Sequence, residues 1–257
     1  MNATLSMSRR RLWRAYLIDT KYEFVRTIRS PIVYVSLLVM PVGMYTFLSV
    51  VLAGTIDRPV DIRTAQQAGT FANWIVFALM GPAMMSFGIG VAAERQTGVM
   101  TFKRALPMPP FAFLLSKLLS VAIFACVVIA LMTAVNVLFT HANLTVAQHV
   151  RLFAAASLLV LPFCALGLAI GASLPVAAAF AFANVGWTGL AMLGGLLFPV
   201  PRWLAMWTPT YYAGQLNRAI VGLPTDVPAW TSVVVLTALT VIFGSLAINR
   251  INTANDD

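Results

Sequence analysis

Glu94-Arg95-Gln96-Thr97-Gly98-Val99-Met100-Thr101-Phe102-Lys103-Arg104-Ala105-Leu106-Pro107-Met108-Pro109-Pro110 is the stretch on which the reading of this chain turns. It carries four charged residues in a chain poor in charge, and it lies between two long apolar runs. It ends in a proline cluster that the middle of a membrane helix would not accept, because proline removes a backbone donor and its ring clashes with the preceding turn. The stretch reads as a cytoplasmic loop with a short helix, placed to receive force from another protein.

The composition sets that loop in a membrane. Of 257 residues, 60% are hydrophobic and 10% charged, against about 25% charged in a soluble domain. The mean hydropathy is +0.86. At about 20 residues per membrane helix plus connections, the chain accommodates roughly five to seven spans. They form a single transmembrane domain, 1–257, with no separate soluble unit. The net charge of +9 fits lysine and arginine retained on the cytoplasmic side of a membrane rather than nucleic-acid binding. Cys126 and Cys164 lie inside apolar runs without a second ligand-type residue at metal spacing, so neither a disulfide nor a metal site is expected.

Residues 1–31 are basic and amphipathic. Trp13, Leu17, Phe24 and Ile28 share one helical face, and most of the charges fall elsewhere. This is the pattern of a helix lying in the membrane interface among lipid head groups, although a plain basic flank carries the same charges. Apolar runs, free of charge apart from Lys117, place spans at 32–53, 70–93, 112–139, 152–172, 176–198 and 228–249. Pro41 and Gly81-Pro82 are expected to bend the first two. Ser173-Leu174-Pro175 breaks the long uncharged run from Leu152 to Pro201 into two spans, and Gly167 with Gly171 forms a GxxxG packing face. Lys117 is expected to snorkel to the interface, and His141 and His149 read as solvated loop residues. Residues 199–226 are apolar but punctuated by proline and glycine, with Trp203, Trp207, Tyr211 and Tyr212 crowded together. They read as a re-entrant or extracellular hairpin. The expected fold is therefore all-α: a polytopic protein of six transmembrane helices, an N-terminal interfacial helix and that hairpin before the last span.

Six spans put both termini on one side. With that side cytoplasmic, only Arg58, Arg63, Arg151, Arg202 and Arg218 of the seventeen Lys and Arg fall outside. The bias favours cytoplasmic termini and a cytoplasmic 94–110. The chain has no G-x-x-x-x-G-K-[ST] phosphate loop, no HExxH and no nucleophile elbow. No ionisable residue stands at a span centre, where a proton-driven carrier would need one. Transport energy then comes from another protein, or the chain is a passive pore.

Three stretches together resemble the ABC type-2 permease family, the membrane half of many bacterial ABC exporters. Glu23 followed by Arg29-Ser30-Pro31 resembles its acidic residue and R-x-P start of the first span. Glu94-Arg95-Gln96-Thr97-Gly98, running through Leu106-Pro107 to Lys117, resembles its E-R-x-x-G-T … P … K loop. Here Val99-Met100-Thr101-Phe102 replaces the usual leucine-rich run with a glutamate. Phe198-Pro199, Pro201, Trp203-Leu204, Thr208-Pro209-Thr210-Tyr211-Tyr212 and Asn217-Arg218 resemble the stretch before the last span.

The resemblance implies a subunit of the bacterial inner membrane that pairs with a second permease copy, as a homodimer or a heterodimer. It would work with a separate ATP-binding cassette subunit, present twice. ATP and Mg would bind that partner, leaving this chain without a cofactor and without catalysis of its own. In such a family 94–110 forms the coupling helix that docks on the ATPase, and the N-terminal helix also contacts it. The expected coupling residues are Glu94, Arg95, Gln96, Gly98, Val99, Phe102, Arg104 and Pro107, with Glu23 beside them.

The residue types suit that role. Glu94 and Arg95 offer charges to a partner, Gly98 permits close backbone approach, Val99 and Phe102 offer an apolar knob, and Pro107 stiffens the link to the third span. ATPase closure would rock the spans around a path between two permease copies, lined by Asn73, Trp74, Met84, Met85, Asn184 and Trp187. Ordinary helix packing is the alternative role for each of these six. The expected cargo is amphipathic: a drug, lipid, glycolipid or peptide. The competing reading is an ATP-independent channel or secondary transporter.

Overall fold

A computed structural model describes residues 18, 21, 22, 25, 31–52, 59–99, 112–140 and 142–253. Every regular element among them is helical. Helix α1 (Pro31–Thr46) runs on as a π-helical segment, Phe47–Leu52. It is followed by α2 (Val60–Gln96), α3 (Ala112–Phe139), α4 (Val146–Ser173), α5 (Val176–Leu193), α6 (Arg202–Ala205), α7 (Pro209–Ile220) and α8 (Ala229–Thr253). Five of these, α2, α3, α4, α5 and α8, are long and apolar enough to cross a membrane, and Leu38–Val51 forms a shorter apolar helix. The expected interfacial helix lies largely outside the described residues.

The break at 173–175 falls where the sequence places it. Pro175 is the N-cap of α5, in extended backbone, and Leu174 caps α4. Two other boundaries differ. Helix α2 starts at Val60, so Asp61 and Arg63 belong to its first turn and not to a loop. An acidic residue there suits the positive end of the helix dipole. Helix α4 starts at Val146 because Thr145 and Gln148 form a capping box: Thr145 Oγ1 accepts from the Gln148 N–H, and Gln148 Oε1 accepts from the Thr145 N–H at 2.8 Å. Two otherwise orphaned donors are satisfied at once. His149 is consequently a helical residue, half-buried, and not a loop residue. Asn136 Nδ2 meets its Nε2 at 3.3 Å, its Nδ1 faces the Thr145 carbonyl at 3.0 Å, and its ring lies 5.8 Å from that of Phe71.

Helix α2 is the axis of the fold. Its 37 residues reach about 55 Å at 1.5 Å per residue, well beyond an apolar layer of about 30 Å. Its apolar window is 83% buried, against 22% for α5 and 17% for α8; α3, α4 and α5 pack against it, whereas α8 packs on α4 and α7. The chemistry of its surface explains how. Phe71, Phe77, Ile75, Leu79, Met80 and Met84 are fully enclosed. Trp74 meets Phe77 edge-on at 5.0 Å, and Trp187 of α5 stacks on Phe77 at 5.0 Å while donating its Nε1–H to the Phe77 carbonyl at 3.0 Å. Such a tryptophan supplies packing area and still satisfies its one donor.

Helices α2 and α4 meet backbone to backbone. A Cβ added to Gly171 would stand 2.5 Å from the Gly88 carbonyl oxygen and 2.6 Å from that of Phe87. One added to Gly167 would stand 2.8 Å from the Met84 oxygen. Apolar side chains gain little by meeting one another in lipid, so small residues that let backbones touch carry such contacts. Gly171→Val and Gly167→Val should each destabilise the protein by about 1–3 kcal/mol, the cost of overpacking. Gly189→Ala, at a helical position with nothing within 4 Å of the new Cβ, should be neutral or slightly stabilising. Thermal unfolding of the three variants in detergent checks the contrast.

Candidate functional site at the polar end of the central helix

Helix α2 ends in a polar turn. Glu94 and Arg95 lie there, and the helix closes at Thr97, whose N–H bonds the Ala93 carbonyl at 3.0 Å. Gly98 follows with φ +71°, a left-handed conformation that favours glycine and ends a helix. Gln96, Thr97 and Gly98 are exposed and Val99 is half-buried. Phe102, Arg104, Pro107 and Glu23 lie outside the described residues.

The two charged residues are turned inwards. Glu94 is 1% exposed, and Lys117 Nζ of α3, also buried, lies 3.2 Å from its Oε1. A carboxylate in the last turn of a helix faces the negative end of the dipole, and the lysine offsets that penalty. Gly90, one turn before Glu94 on the same face, makes the room: a Cβ there would come within 3.0 Å of Lys117 Nζ. Lys117 therefore does not snorkel to the interface as its position suggests; it crosses to α2. Arg95 donates through Nη1 to the Gly171 carbonyl at 2.9 Å. That carbonyl is among the last four of α4, which lack helical donors, and a cation suits that end of the dipole. Glu94 and Arg95 thus bind α2 to α3 and α4.

The six residues expected along a path are less alike in their surroundings. Trp74, Met84, Met85 and Trp187 are buried in the core of this chain, Asn73 is half-buried and donates to the Leu196 carbonyl at 3.4 Å, and Asn184 is exposed on α5. The structure joins Trp74 and Trp187 through Phe77, and it brings Met84 against Gly167 and Gly186. Among the described residues, no group of three His, Cys, Asp or Glu side chains could hold a metal ion.

The opposite end of the molecule is tied by neutral hydrogen bonds that sequence reading missed. Tyr45 Oη and Thr140 Oγ1 each donate to Asn136 Oδ1 at 2.8 Å, and Gln67 Nε2 donates to the Ser49 carbonyl in the π-helical segment at 2.9 Å. Asn217 Nδ2 of α7 reaches the Ala72 carbonyl at 3.0 Å, and Gln148 Nε2 reaches Val221 O at 3.0 Å. Asp226 accepts from Tyr211 Oη at 3.2 Å and Gln215 Nε2 at 3.1 Å, which closes the loop after α7 onto that helix. Burial, then the charge of Asp226, pushes the Tyr211 phenol up, so it remains the donor. The only advance signal for these pairs was amide and hydroxyl residues standing inside apolar runs.

Comparison with known proteins completes the description. The profile of a family described as ABC-2 type transporter matches residues 14–222. A protein of Bacillus subtilis (strain 168) named "Putative transport permease YvfS" is 26% identical over 234 residues, covering 86% of this chain and 90% of its own length.

Removing one partner of a buried ion pair leaves the other charge stranded and costs about 3–5 kcal/mol. Glu94→Ala and Lys117→Met should each destabilise by that order. The double variant should lose clearly less than the sum of the two, and thermal melts of all four proteins in one detergent measure the coupling.

Proposed function

The chain belongs to the ABC-2 type transporter family, and from that premise we propose that it is the permease subunit of an ATP-driven ABC exporter. It forms a translocation path together with a second permease copy, and it moves an amphipathic cargo (drug, lipid, glycolipid or peptide) across the bacterial inner membrane. Both termini are cytoplasmic, α1 with its π-helical extension is the first of six spans, residues 1–31 lie in the interface, and 199–226 is the extracellular or re-entrant hairpin. ATP and Mg bind a separate ATPase subunit, present twice. This chain contributes no phosphate loop and carries no cofactor.

One observation carries the coupling part of this reading. The exposed turn Gln96–Gly98 is continuous with the most buried helix of the protein, and the two residues before it are bonded to α3 and α4. A displacement applied at residues 97–111 therefore reaches three packed helices at once. Pro107 and its neighbours stiffen the return to α3, and Val99, Phe102 and Arg104 complete the docking surface. Glu94 and Arg95 act within this chain, as the posts on which that surface is mounted.

The test follows from the difference in exposure. Gln96→Trp enlarges an exposed side chain, so the melting temperature should stay within the range of ordinary surface changes, about 0.5 kcal/mol. Co-purification with the partner ATPase, and substrate-stimulated ATP hydrolysis, should fall at least about tenfold, the equivalent of 1.4 kcal/mol. Undiminished association of Gln96→Trp with the ATPase, or ATP-independent flux through liposomes holding this chain alone, overturns the proposal.

A further inference from the structure

Two adjoining cavities open at the end of the molecule opposite Glu94. The larger, about 580 Å³, lies between the π-helical segment, the first half of α2 and the residues after α5. Its walls are apolar at Leu48, Trp74, Leu196, Leu197 and Phe198, with Gln66 and Thr70 along one side. The smaller, about 200 Å³, is polar and is lined by Arg202, Arg218, Gln215, Tyr211 and Asp226 among others. Asn73, Leu196, Pro199 and Arg218 line both, so the apolar space and the basic space share a wall.

The wall carries two arginines against one carboxylate, and Arg202 and Asp226 both act on the Tyr211 hydroxyl. Asp226, the carboxylate of the smaller cavity, accepts from Tyr211 and Gln215. Arg218 spends its Nε on the Pro224 carbonyl at 3.4 Å, and Arg202 its Nη2 on the Asp226 backbone carbonyl at 3.3 Å. Both are long contacts to neutral acceptors. Among the described residues neither guanidinium forms an ion pair with a carboxylate. A guanidinium presents five donors in a planar fork that matches phosphate and carboxylate oxygens, and here the fork of Arg218 stands where a polar recess meets an apolar one.

We propose that these cavities form a binding site for an amphipathic anion, with a phosphate-type head group held by Arg218 beside Asn73 and an alkyl chain lying in the larger cavity against Trp74, Leu197 and Phe198. Arg202 adds a second positive charge to the same recess. The head group belongs either to a lipid of the membrane or to a single-chain molecule handled by the transporter. In the second case the site rests on the transport reading, but its occupancy is a property of this chain and is measured without any ATPase. Failure of coupling and failure of binding are therefore separate results.

The experiment is a thermal-shift titration of the full chain in dodecyl maltoside, with dodecyl phosphate as the probe; the maltoside itself is the uncharged amphiphile of equal chain length. A ligand that binds only the folded protein raises the melting temperature saturably. The wild-type protein should show that rise. Arg218→Gln should lose it, with at least about a tenfold weaker midpoint for loss of one charge-assisted contact. Thr70→Trp, which fills part of the larger cavity, should weaken it as well. Arg151→Gln, exposed at the start of α4 and outside both cavities, should keep the full shift. Should Arg218→Gln fail to elute as a folded species, Thr70→Trp against Arg151→Gln carries the test.

Repeating the titration in nanodiscs separates the two sources. A shift already present in phosphatidylglycerol over phosphatidylcholine discs, to which dodecyl phosphate adds nothing, identifies a membrane lipid. A further shift with dodecyl phosphate in both kinds of disc identifies the single-chain anion. Equal stabilisation of wild type, Arg218→Gln and Thr70→Trp, or no stabilisation of the wild type, overturns the site.

Discussion

The contact that the rest of the structure depends on is the one between the backbones of α2 and α4. Two membrane helices gain little by pressing ordinary apolar side chains together, because lipid offers the same surroundings. They gain when their backbones come close enough for dispersion along a whole turn, and Gly167 and Gly171 allow that against Met84, Phe87 and Gly88. The consequence extends past packing. Only at that separation does the last turn of α4 come beside the last turn of α2, so that Arg95 reaches the Gly171 carbonyl. The same residue, Gly171, thus provides both the steric gap and the acceptor, and the polar end of the molecule is assembled by the apolar contact beneath it.

Much of this was legible in the chain, for local reasons. The GxxxG spacing of Gly167 and Gly171 and the stop at Ser173-Leu174-Pro175 are each visible within a few residues, and the structure places both as read. The polar interruption differs: Glu94, Arg95 and Gln96 still belong to α2, and 100–110 lie outside the described residues. What was not legible joins residues far apart. Glu94 and Lys117 are 23 positions apart, and each alone has a sufficient explanation as a charged residue at the water boundary. Gly90 held the hint, since a glycine one turn before a glutamate leaves a groove on that face, but it reads equally well as a helix-packing residue. Trp187 bonds a carbonyl 110 positions away, and His149 is ordered by Asn136 and Phe71 from other helices. Periodicity carries no information about such partners. The start of α2 at Val60 was missed for a different reason: the charges of Asp61 and Arg63 read as a loop, and the helix runs through them.

The two ends of α2 are fastened by different chemistry. At one end, amides and hydroxyls bond to carbonyls and to one another: Gln67 to Ser49, Tyr45 and Thr140 to Asn136, Asn217 to Ala72, Gln148 to Val221. A neutral hydrogen bond contributes about 1 kcal/mol net, so this end resembles several light fastenings that fix α1, α3, α4 and α7 around one helix. At the other end, among the described residues, stand the buried Glu94–Lys117 ion pair and Arg95 on a helix terminus. These are individually stronger, and an ion pair depends on both partners being present. The first arrangement tolerates the loss of any single member; the second does not.

Stability by itself does not account for the ion pair. Two charges removed from water rarely gain more from each other than a well-packed apolar pair of the same size would supply. Here the disadvantage is increased, because Glu94 occupies the last turn of its helix, where the backbone dipole is already negative. An apolar pair, however, would let α2 and α3 slide along each other at little cost, whereas separating Glu94 from Lys117 strands two charges in a buried site. The pair therefore sets register. It stands on the two helices that flank residues 97–111, so that connection leaves and returns from points that cannot part without a cost of several kcal/mol. Arg95 extends the same constraint to α4. Glu94, Lys117 and Arg95 thus hold the ends of α2, α3 and α4 in one packed group.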